Sequence, residues 1–469
     1  MKEEEGCSLL LFEVYARITP MRKLKIFNSY TNQIEEFVPL KEGKASLYVC
    51  GPTVYNSPHI GNFRPVITFD VLRRLLIAIG YDVTFVSNYT DVDDKIINRA
   101  KELGISEKQL TESVIGEFAS LVKECGSMLP DITPKPTVYM EQMISYINDL
   151  IEKGAAYVTK SGDVYFRVSS VEEYGHLSGN SVEDLVSGAR IESSSEKESP
   201  LDFALWKKTE DGIRWDTKWC SGRPGWHTEC CVMIDSIFRD QDGLIDIHGG
   251  GFDLKFPHHE NEIAQARAHN HNQLARYWMH NGFININNEK MSKSLGNVLL
   301  AKDVFALYGG LSFRLMVLNA HYRAPVSFSE ETILEAQKNV AKLSTAYKQL
   351  AVALQTNGIS LDKVEAEGEE RFYEVMCEDL NTPNALSILY EEVKNANQLL
   401  RKRPLELDAL KASFQRLSDY FFVLGLPFAY PTLSEEDKKV YEEYNELKKQ
   451  KRFEESDKLR AILQEKGIL

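Results

Sequence analysis

The run Ala45-Ser46-Leu47-Tyr48-Val49 leads into Cys50-Gly51-Pro52-Thr53-Val54-Tyr55 and then Pro58-His59-Ile60-Gly61-Asn62, after which residues 64–79 carry apolar side chains at helical spacing. The apolar run predicts a buried strand, and the Gly and Pro residues after it predict a turn. A strand, a turn and a helix in this order bring the first helical amides to the end of the strand, where they can meet a phosphate. This order predicts the start of a nucleotide-binding α/β domain.

The residues that follow continue the alternation of strands and helices. Residues 81–88 have the pattern of a second strand, residues 90–94 form a polar turn, and residues 95–104 have the pattern of a helix. Two longer helical patterns cover 107–125 and 138–153. Such alternation is typical of a parallel sheet with helical crossovers.

The α/β pattern is interrupted once and then gives way to helices. Residues 155–168 resemble a hairpin, and residues 186–200 are polar and poor in structural signals. Helix and strand patterns resume at 226–238, 244–248, 257–269 and 277–280, and only helical patterns follow residue 327. We therefore predict a tail (1–22), the first half of the α/β domain (23–154), an insertion (155–215), the second half (216–326), a helical domain (327–430) and a short C-terminal helical unit (431–469).

Composition limits the class of protein. With 55 basic and 69 acidic side chains, the formal net charge is −14, which argues against nonspecific coating of nucleic acid. A specific nucleic-acid partner stays open through a local basic surface such as the run at 448–452. Seven cysteines scattered over a long chain predict reduced thiols in a cytoplasmic protein. No apolar run approaches the ~18 to 20 residues of a membrane span, so we expect no membrane partner.

Residues 222–262 collect the side chains that bind zinc. They include thiols, imidazoles and carboxylates, the ligand types that this metal takes in proteins. His258 and Glu262 are four apart and share one face of a helix. His259 lies three before Glu262, so helical phase alone does not choose between the two histidines. The pattern predicts a metal site of undetermined ligand set.

A cation-rich loop, Lys290-Met291-Ser292-Lys293-Ser294, lies beyond the last strand of the α/β pattern. Together with His59-Ile60-Gly61-Asn62 it gives the chain the two signatures of class I aminoacyl-tRNA synthetases, which this chain resembles. Six further segments resemble the cysteinyl-tRNA synthetase family within that class: 48–55, 88–94, 202–207, 222–230, 248–251 and 256–262. The resemblance runs from about Leu24 to nearly the end.

The resemblance implies a fold and an activity. The fold is a Rossmann-like parallel-sheet catalytic domain split by an insertion, followed by an all-α helical-bundle tRNA-binding domain and a short helical C-terminal unit. The activity is ATP-dependent ligation of L-cysteine to tRNA(Cys) through a cysteinyl-adenylate, with Mg²⁺ accompanying ATP. A monomer is expected.

The resemblance also implies the zinc ligands, which fall on Cys50, Cys230, His258 and Glu262. Cysteine and serine differ only by sulfur for oxygen, and a pocket that merely fits the side chain separates such near-isosteres poorly. Zinc prefers a soft thiolate, so it would select the substrate through its sulfur. Further contacts to the substrate cysteine are implied for Gly51, Thr90 and Trp226, although Trp226 read alone fits a core tryptophan as well.

The remaining implied residues serve ATP. Catalytic roles fall on His59, Asn62, Lys290 and Lys293. ATP binding falls on His59, Gly61, Asn62, Gly249, Gly250, Gly251 and Lys293. Asn62 stands where the family signature has histidine; its amide donates a hydrogen bond but cannot become cationic. We expect function to be retained with altered phosphate contacts.

Two other functions fit parts of the pattern. The first is a cysteine ligase that passes cysteinyl-AMP to a small amine, but relatives of that kind tend to lack the helical region, and about 140 residues follow Ser327 here. The second is a non-catalytic tRNA- or zinc-binding paralogue. The intact Lys290 to Ser294 segment argues against that reading.

Overall fold

The computed structural model describes residues 22–179, 196–287, 289–290, 297–361 and 369–469, without the side chain of Lys290. Several features named above lie outside these residues. They are nearly all of the predicted tail, most of the polar segment at 186–200, and Met291 to Ser294 of the cation-rich loop, including Lys293.

The strands of the described residues form four sheets. In chain order they are β1 (Lys25–Asn28), β2 (Gln33–Glu36), β3 (Lys44–Val49), β4 (Asp82–Ser87), β5 (Ala156–Val158), β6 (Val164–Phe166), β7 (Phe203–Lys208), β8 (Trp215–Asp216), β9 (Ser221–Pro224), β10 (Ile245–Gly251), β11 (Ala275–Asn281), β12 (Ile284–Ile286), β13 (Glu289–Lys290) and β14 (Val326–Phe328).

The helices divide between the α/β part and the C-terminal part. In chain order they are α1 (Phe63–Ala78), α2 (Asp94–Leu103), α3 (Glu107–Glu124), α4 (Met140–Glu152), α5 (Trp226–Ile237), α6 (Glu260–Asn270), α7 (Ala301–Tyr308), α8 (Gly310–Leu318), α9 (Glu330–Thr356), α10 (Glu370–Cys377), α11 (Thr382–Leu399), α12 (Leu407–Leu424), α13 (Glu435–Lys449) and α14 (Phe453–Glu465).

The central sheet has the order β11–β10–β3–β4, and all three of its strand pairs are parallel. Five of the six residues of β3 are buried, as the apolar run predicted. Because the strands are parallel, their carboxyl ends meet at one edge. Val49, Ser87 and Gly251 end their strands there, so the segments that follow them converge on that edge. The predicted parallel sheet is confirmed.

The insertion forms its own antiparallel sheet in the order β5–β6–β7–β9–β8. The hairpin expected at 155–168 is β5 paired with β6. β9 pairs with β7, with Trp206 opposite Pro224, so this sheet continues beyond residue 215. It leads directly into α5, which begins at Trp226.

Helices α9 to α12 share one hydrophobic core with α1 and the central sheet. A single hydrophobic cluster contains Leu47 of β3, Leu72 of α1, Leu350 of α9 and Phe414 of α12. Complete burial of each such side chain contributes about 1.5–3 kcal/mol. The C-terminal helices α13 and α14 have a smaller cluster, which includes Val352, Leu433, Tyr444, Leu463 and Ile468.

A buried cluster of charged side chains in the α/β part reaches the C-terminal part through hydrogen bonds. On α1, Asp70 accepts from Arg314 Nη2 at 2.6 Å and from Arg74 Nε at 2.8 Å. Arg314 Nε also donates to the carbonyl of Leu424 at 2.6 Å, at the end of α12. We call Asp70, Arg74 and Arg314 the helix junction.

A second contact involves the 378–383 segment. Asp379 accepts from the backbone amide of Phe27 at 2.8 Å, from Tyr322 Oη at 2.7 Å and from Arg323 Nε at 2.8 Å. One carboxylate thereby joins β1, the segment after α8 and the helical domain.

Among the helices that the described residues form, none has the length and apolar character needed to cross a bilayer.

Candidate active site and metal centre

The turn after β3 carries the His59-Ile60-Gly61-Asn62 signature at the carboxyl edge of the sheet. Residues Ile60–Asn62 form a short 3-10 helix that leads into α1. The Asn62 side-chain oxygen accepts the His59 backbone N–H at 3.0 Å. This bond fixes the amide oxygen toward the backbone, so the amide nitrogen of Asn62 is left for other acceptors.

The segment after the cation-rich loop lies against this turn. The Ile60 amide donates to the Leu299 carbonyl at 3.0 Å, and the Ala301 amide donates to the Pro58 carbonyl at 2.9 Å. At the start of the loop, Lys290 ends β13, whose partner is β12. The described flanks of the loop are therefore held by strand pairing on one side and against the His59–Asn62 turn on the other, while Lys293 itself lies outside the described residues.

A cavity of about 460 Å³ opens at this edge. Its lining includes Cys50 and Gly51 at one side and His59, Gly61 and Asn62 at another. Gly251 and Val298 also line it. One cavity therefore extends from the predicted metal ligand Cys50 to the residues predicted to contact phosphate, His59 and Asn62.

The three glycines of 249–251 lie in different surroundings. A Cβ on Gly249 would come within 2.3 Å of the Phe69 ring, and one on Gly250 would come within 2.8 Å of Leu254. Of the three, Gly251 lines the cavity. Packing against side chains explains the first two glycines without a nucleotide, so ATP contacts by Gly249 and Gly250 stay predictions.

Cys50, Cys230, His258 and Glu262 come together from three parts of the chain, and we call them the thiol corner. The two sulfurs are 3.7 Å apart, and Cys230 Sγ lies 3.8 Å from His258 Nε2. His258 Nε2 lies 2.9 Å from Glu262 Oε1, and Cys50 Sγ lies 4.0 Å from the same oxygen. All four ligand atoms lie within 4.8 Å of one another.

These spacings fit zinc. A tetrahedral ion with Zn–S near 2.3 Å and Zn–N or Zn–O near 2.0–2.1 Å separates two sulfurs by about 3.8 Å, sulfur from nitrogen by about 3.5 Å and nitrogen from oxygen by about 3.3 Å. The four separations given above depart from these values by about 0.5 Å or less. Two thiols beside one imidazole and one carboxylate also form a donor set that suits this metal.

A second set overlaps the first. Cys50 and Glu262 also lie with His248 and His259 within the same ligand spacing. Cys50 Sγ is 3.4 Å from His259 Nε2, and His248 Nε2 is 2.8 Å from Glu262 Oε2. Sequence reasoning left His259 open and gave His248 no role. The second set contains one sulfur where the thiol corner contains two.

The electrostatics of the thiol corner favour a cation. Burial raises the pKa of Cys50 to about 11. The neighbouring Cys50 sulfur, together with burial, raises the pKa of Cys230 well above its usual range. Two thiols packed against each other and near a carboxylate resist ionisation, because each added negative charge is unfavourable there. A bound metal ion reverses this balance and deprotonates coordinating thiols.

The histidines differ in charge. Although burial opposes protonation of His258, Glu262 raises its pKa to about 10. Burial and the neighbouring His258 lower the pKa of His227 to about 3, and its Nδ1 lies 3.0 Å from His258 Nδ1. Burial also lowers the pKa of His280 to about 3. Neutral His227 can accept a hydrogen bond from His258 Nδ1–H and so orient the His258 ring.

The regular helix α6 begins at Glu260, three residues later than predicted, after a wider turn over Lys255–His259. Phe256 within this turn has extended backbone angles, which postpones the regular helix. His258 and Glu262 nevertheless meet as the four-residue spacing predicted. The Glu260 carboxylate instead accepts a hydrogen bond from the Ser178 amide at 2.8 Å.

Trp226 is 39% exposed and is therefore not a core tryptophan. Its ring stacks on His258 with centroids 4.1 Å apart. Cys231 is buried, and its sulfur contacts the carbonyls of His227 and Glu262 rather than the thiol corner. Cys220 donates to the Gly162 carbonyl at 3.1 Å. These contacts agree with packing roles for Cys231 and Cys220.

Gly51 and Thr90 lie side by side beneath the thiol corner. The Thr90 amide donates to the Pro52 carbonyl at 3.2 Å, and a Cβ on Gly51 would come within 1.6 Å of the Asn88 carbonyl oxygen. Only glycine allows this approach of two backbones. Thr90 Oγ1 donates to Glu229 Oε2 at 2.9 Å.

Sequence reasoning assigned no role to Asn88 or Glu229. Both are 2% exposed, and burial raises the pKa of the Glu229 carboxyl well above its usual range. Asn88 and Glu229 lie in segments 88–94 and 222–230, which resemble the family, and this was the signal in the sequence that could have identified them. Only the fold shows that the two segments are in contact.

Two family models match the chain. Residues 36–338 match the family model described as tRNA synthetases class I (C) catalytic domain. Residues 371–429 match the DALR domain. The two matches cover the α/β part and most of the helical domain.

Curated relatives match along nearly the whole chain. The cysteine--tRNA ligase of Acholeplasma laidlawii (strain PG-8A) is 44% identical over 446 residues, which are 95% of this chain and 100% of that protein. The cysteine--tRNA ligase of Lysinibacillus sphaericus (strain C3-41) is 46% identical over 460 residues, 95% of this chain and 97% of that protein.

Solved structures share the fold at low identity. Mycobacterium tuberculosis methionyl-tRNA synthetase in complex with methionyl-adenylate aligns with a TM-score of 0.58 and 16% identity, over 81% of this chain and 89% of that one. The Agrobacterium radiobacter K84 agnB2 LeuRS–tRNA complex aligns with a TM-score of 0.59 and 11% identity, over 83% and 85%.

Proposed function

The chain belongs to the class I cysteine--tRNA ligase family, and on this premise we propose that it joins L-cysteine to tRNA(Cys) in two steps. In the first, the cysteine carboxylate attacks the α-phosphorus of ATP and the bond to pyrophosphate breaks, giving cysteinyl-AMP. In the second, the 2′-hydroxyl of the terminal adenosine of tRNA attacks the carbonyl carbon and AMP leaves.

One observation carries this proposal. The same cavity is lined by Cys50 and Gly51 beside the thiol corner and by His59, Gly61 and Asn62 at the phosphate-binding turn. A cysteine whose sulfur lies at the first side can therefore present its carboxylate to a phosphate at the second. Catalysis of this kind depends mainly on orientation and on stabilising charge.

We assign the metal ligands to Cys50, Cys230, His258 and Glu262, supported by their mutual distances and by the two-sulfur donor set. A zinc ion held there would supply a soft Lewis acid that prefers a thiolate to a hydroxyl, and so would favour cysteine over serine. Trp226, stacked on His258 and partly exposed, would close the substrate side. Gly51 and Thr90 would contact the substrate backbone.

Other residues of the chain would serve ATP. His59 and Asn62, at the start of the helical segment, would donate hydrogen bonds to phosphate oxygens as negative charge develops. Gly61 and the 249–251 glycines would border the nucleotide. Lys290 and Lys293 would bring positive charge to the departing pyrophosphate, and the pairing of Leu299 with Ile60 supports such an approach.

We further propose that the helical domain at 327–430 docks the tRNA, that Mg²⁺ accompanies ATP, and that the chain is a cytoplasmic monomer. The six described cysteines are free thiols, which agrees with a reducing compartment. The division into six segments drawn from the sequence remains part of this proposal.

The activity is tested by pyrophosphate exchange into ATP with cysteine, then with serine, followed by charging of tRNA(Cys). We expect exchange with cysteine, little with serine, and transfer to tRNA. Exchange without charging would favour a ligase that uses a small amine. Absence of exchange by the metal-loaded chain would reject the proposed activity.

The loop is tested by Lys293→Ala. If Lys293 acts on the departing pyrophosphate, adenylate formation should slow by about 100-fold or more while the Kd for cysteine changes little. Single-turnover kinetics and equilibrium binding measure the two separately. Equal losses in rate and in cysteine binding would contradict the assigned role.

A further inference from the structure

An exposed aromatic side chain lies at the rim of the cavity. Gly251 and Asp253, its two neighbours in the chain, line the cavity, while Phe252 between them is 54% exposed. The rings of Phe252 and Phe283 meet edge to face with centroids 6.0 Å apart, and Phe283 lines the cavity as well. Phe252 therefore extends the wall of the cavity outward into solvent.

The fold places Phe252 on the cysteine side of the cavity. A Cβ on Gly250 would come within 3.1 Å of the His259 ring, whose Nε2 lies 3.4 Å from Cys50 Sγ. Consecutive Cα atoms are 3.8 Å apart, so the Phe252 Cα lies at most about 7.6 Å from that of Gly250. Phe252 is therefore near the aminoacyl end of a cysteinyl-adenylate whose sulfur is at the thiol corner.

The second reaction step brings a nucleic acid to this rim. The ribose of the terminal adenosine must reach the aminoacyl carbonyl inside the cavity, so the nucleotide before it lies at the entrance. Unpaired bases at the end of an RNA stack on aromatic side chains. Such stacking tolerates any base, because every base has a flat aromatic face.

A lysine supplies a charge that suits RNA at this rim. Lys255 Nζ lies over the Phe252 ring, 5.9 Å from its centre. Asp253, the other charged residue of segment 252–255, lines the cavity. Because the chain carries a formal net charge of −14, a local cation beside the ring offsets the general repulsion of phosphate. Sites for single-stranded nucleic acid combine such aromatic rings with positive charge.

We propose that Phe252 is a positioning residue for tRNA, and that its ring stacks on the unpaired base next to the terminal adenosine. This stacking holds the terminal ribose at the aminoacyl carbonyl. The proposal rests on the proposed function, because it needs the adenylate in the cavity. The segments that carry the family resemblance, 248–251 and 256–262, leave Phe252 out, so resemblance gives it no role.

The test removes the ring from the protein and the base from the RNA. Phe252→Ala removes the ring. A tRNA(Cys) with an abasic site before the terminal adenosine lacks the base but keeps every phosphate. Pyrophosphate exchange gives kcat and KM for cysteine and ATP in the absence of tRNA, and charging gives kcat/KM for the intact and the abasic tRNA, all with the full-length protein.

We expect Phe252→Ala to lower kcat/KM for charging of intact tRNA by about 5- to 150-fold, the range for loss of one stack between a base and an aromatic ring. The losses from Phe252→Ala and from the abasic site should be less than additive, because both changes remove the same contact. The kinetic constants of pyrophosphate exchange should change by less than about twofold, since the first step needs no tRNA.

Two further variants separate stacking from a general surface effect. Phe252→Trp should charge intact tRNA nearly as well as wild type, because an indole ring also stacks on a base. Phe453→Ala is the matched control, since it removes the same side chain from a position that is 61% exposed on α14. Its ratio of kcat/KM for intact and abasic tRNA should equal the wild-type ratio.

Three results would overturn the proposal. Charging of intact tRNA by Phe252→Ala at the wild-type rate would show that the ring only packs on Phe283. Fully additive losses from the substitution and the abasic site would show that the ring and the base do not meet. A raised KM for ATP in pyrophosphate exchange would place the ring against ATP. If wild-type protein shows no cysteine-dependent exchange, it is the proposed function that fails.

Discussion

The thiol corner and the helix junction are both buried polar clusters, but their charges balance differently. In the helix junction, Asp70 lies between two guanidinium groups, whose other donors reach carbonyls including Leu424 and Gly126. In the thiol corner, two thiols with raised pKa values lie beside a carboxylate. A buried cluster of opposite charges can be complete within the chain, whereas two buried thiols with raised pKa values ionise when a metal ion binds them. The comparison assigns stability to the first and ligand binding to the second.

The largest effect should come from Cys230→Ser. Loss of one thiolate ligand should lower zinc affinity by more than the ~10- to 100-fold that follows loss of a mere supporting residue, and cysteine activation should fall with it. Metal analysis and pyrophosphate exchange measure both on the same sample. Cys231→Ala is the control, because that neighbouring buried sulfur contacts only carbonyls among the hydrogen-bond partners described. Normal activation by a zinc-free variant would reject the role given to the thiol corner.

Asp70→Asn should act on stability instead. It leaves the buried Arg314 without its carboxylate, and breaking such a pair costs about 3–5 kcal/mol in the free energy of unfolding. Zinc content should stay at one per chain. Asp82→Asn is the control, because Asp82 and Lys44 form an exposed pair at 3.8 Å, worth at most about 1 kcal/mol. Urea unfolding measures the free energy of unfolding of both variants. A loss of zinc from Asp70→Asn would contradict the assignment of stability to the helix junction and of ligand binding to the thiol corner.

The pH dependence of the helix junction follows from Asp70. Although burial opposes ionisation, Arg74 and Arg314 lower the pKa of its carboxyl below the usual value. A carboxyl whose pKa is lowered in the folded state stabilises the protein at pH values above its unfolded-state pKa of about 3.9. This stabilisation is lost as the pH falls through the lower folded-state pKa. The stability difference between wild type and Asp70→Asn should be constant from about pH 7 to 5 and shrink below about pH 4. A difference that grows on acidification would contradict the assignment.

The smallest effect should come from the exposed C-terminal basic run. Lys449 contacts Glu446 and Arg452 contacts Glu455, whereas the Lys448 ammonium lies 5.1 Å from the Tyr444 ring centre. If Lys448 meets a tRNA phosphate, Lys448→Ala should weaken tRNA binding by about 2- to 5-fold and lower the salt slope by about 0.7 to 1. Lys439→Ala on the same helix is the control. Filter binding over a range of salt concentrations measures tRNA affinity and the salt slope for both variants. Equal effects of the two substitutions would indicate that Lys448 lies on an ordinary solvated face.

Periodicity predicted the elements of the α/β part well, because β3 is a short apolar run and α1 follows a Gly- and Pro-bearing turn. It could not predict the end of the insertion sheet. β9 contains glycine and proline, residues that are depleted in strands, and its pairing with β7 depends on tertiary contact. The predicted end of the insertion at residue 215 therefore falls inside this sheet.

The site shows a similar division. The four-residue spacing of His258 and Glu262 predicted their contact, but helical phase could not choose His258 over His259, and the fold brings both to Cys50 or Cys230. Resemblance, not spacing, brought in Cys50, which is 180 residues from Cys230. No local pattern links Thr90 to Glu229, and their hydrogen bond forms because the segment after β4 lies against α5.

The central claim is that the thiol corner, and not the overlapping set with His248 and His259, holds the zinc ion. X-ray absorption at the zinc edge of the full-length protein counts the sulfur ligands directly. Our account predicts two sulfurs with nitrogen or oxygen ligands, and three sulfurs after addition of L-cysteine but not of L-serine. A single sulfur before addition, as the Cys50, His248, His259 and Glu262 set would give, or no change with cysteine, would contradict it.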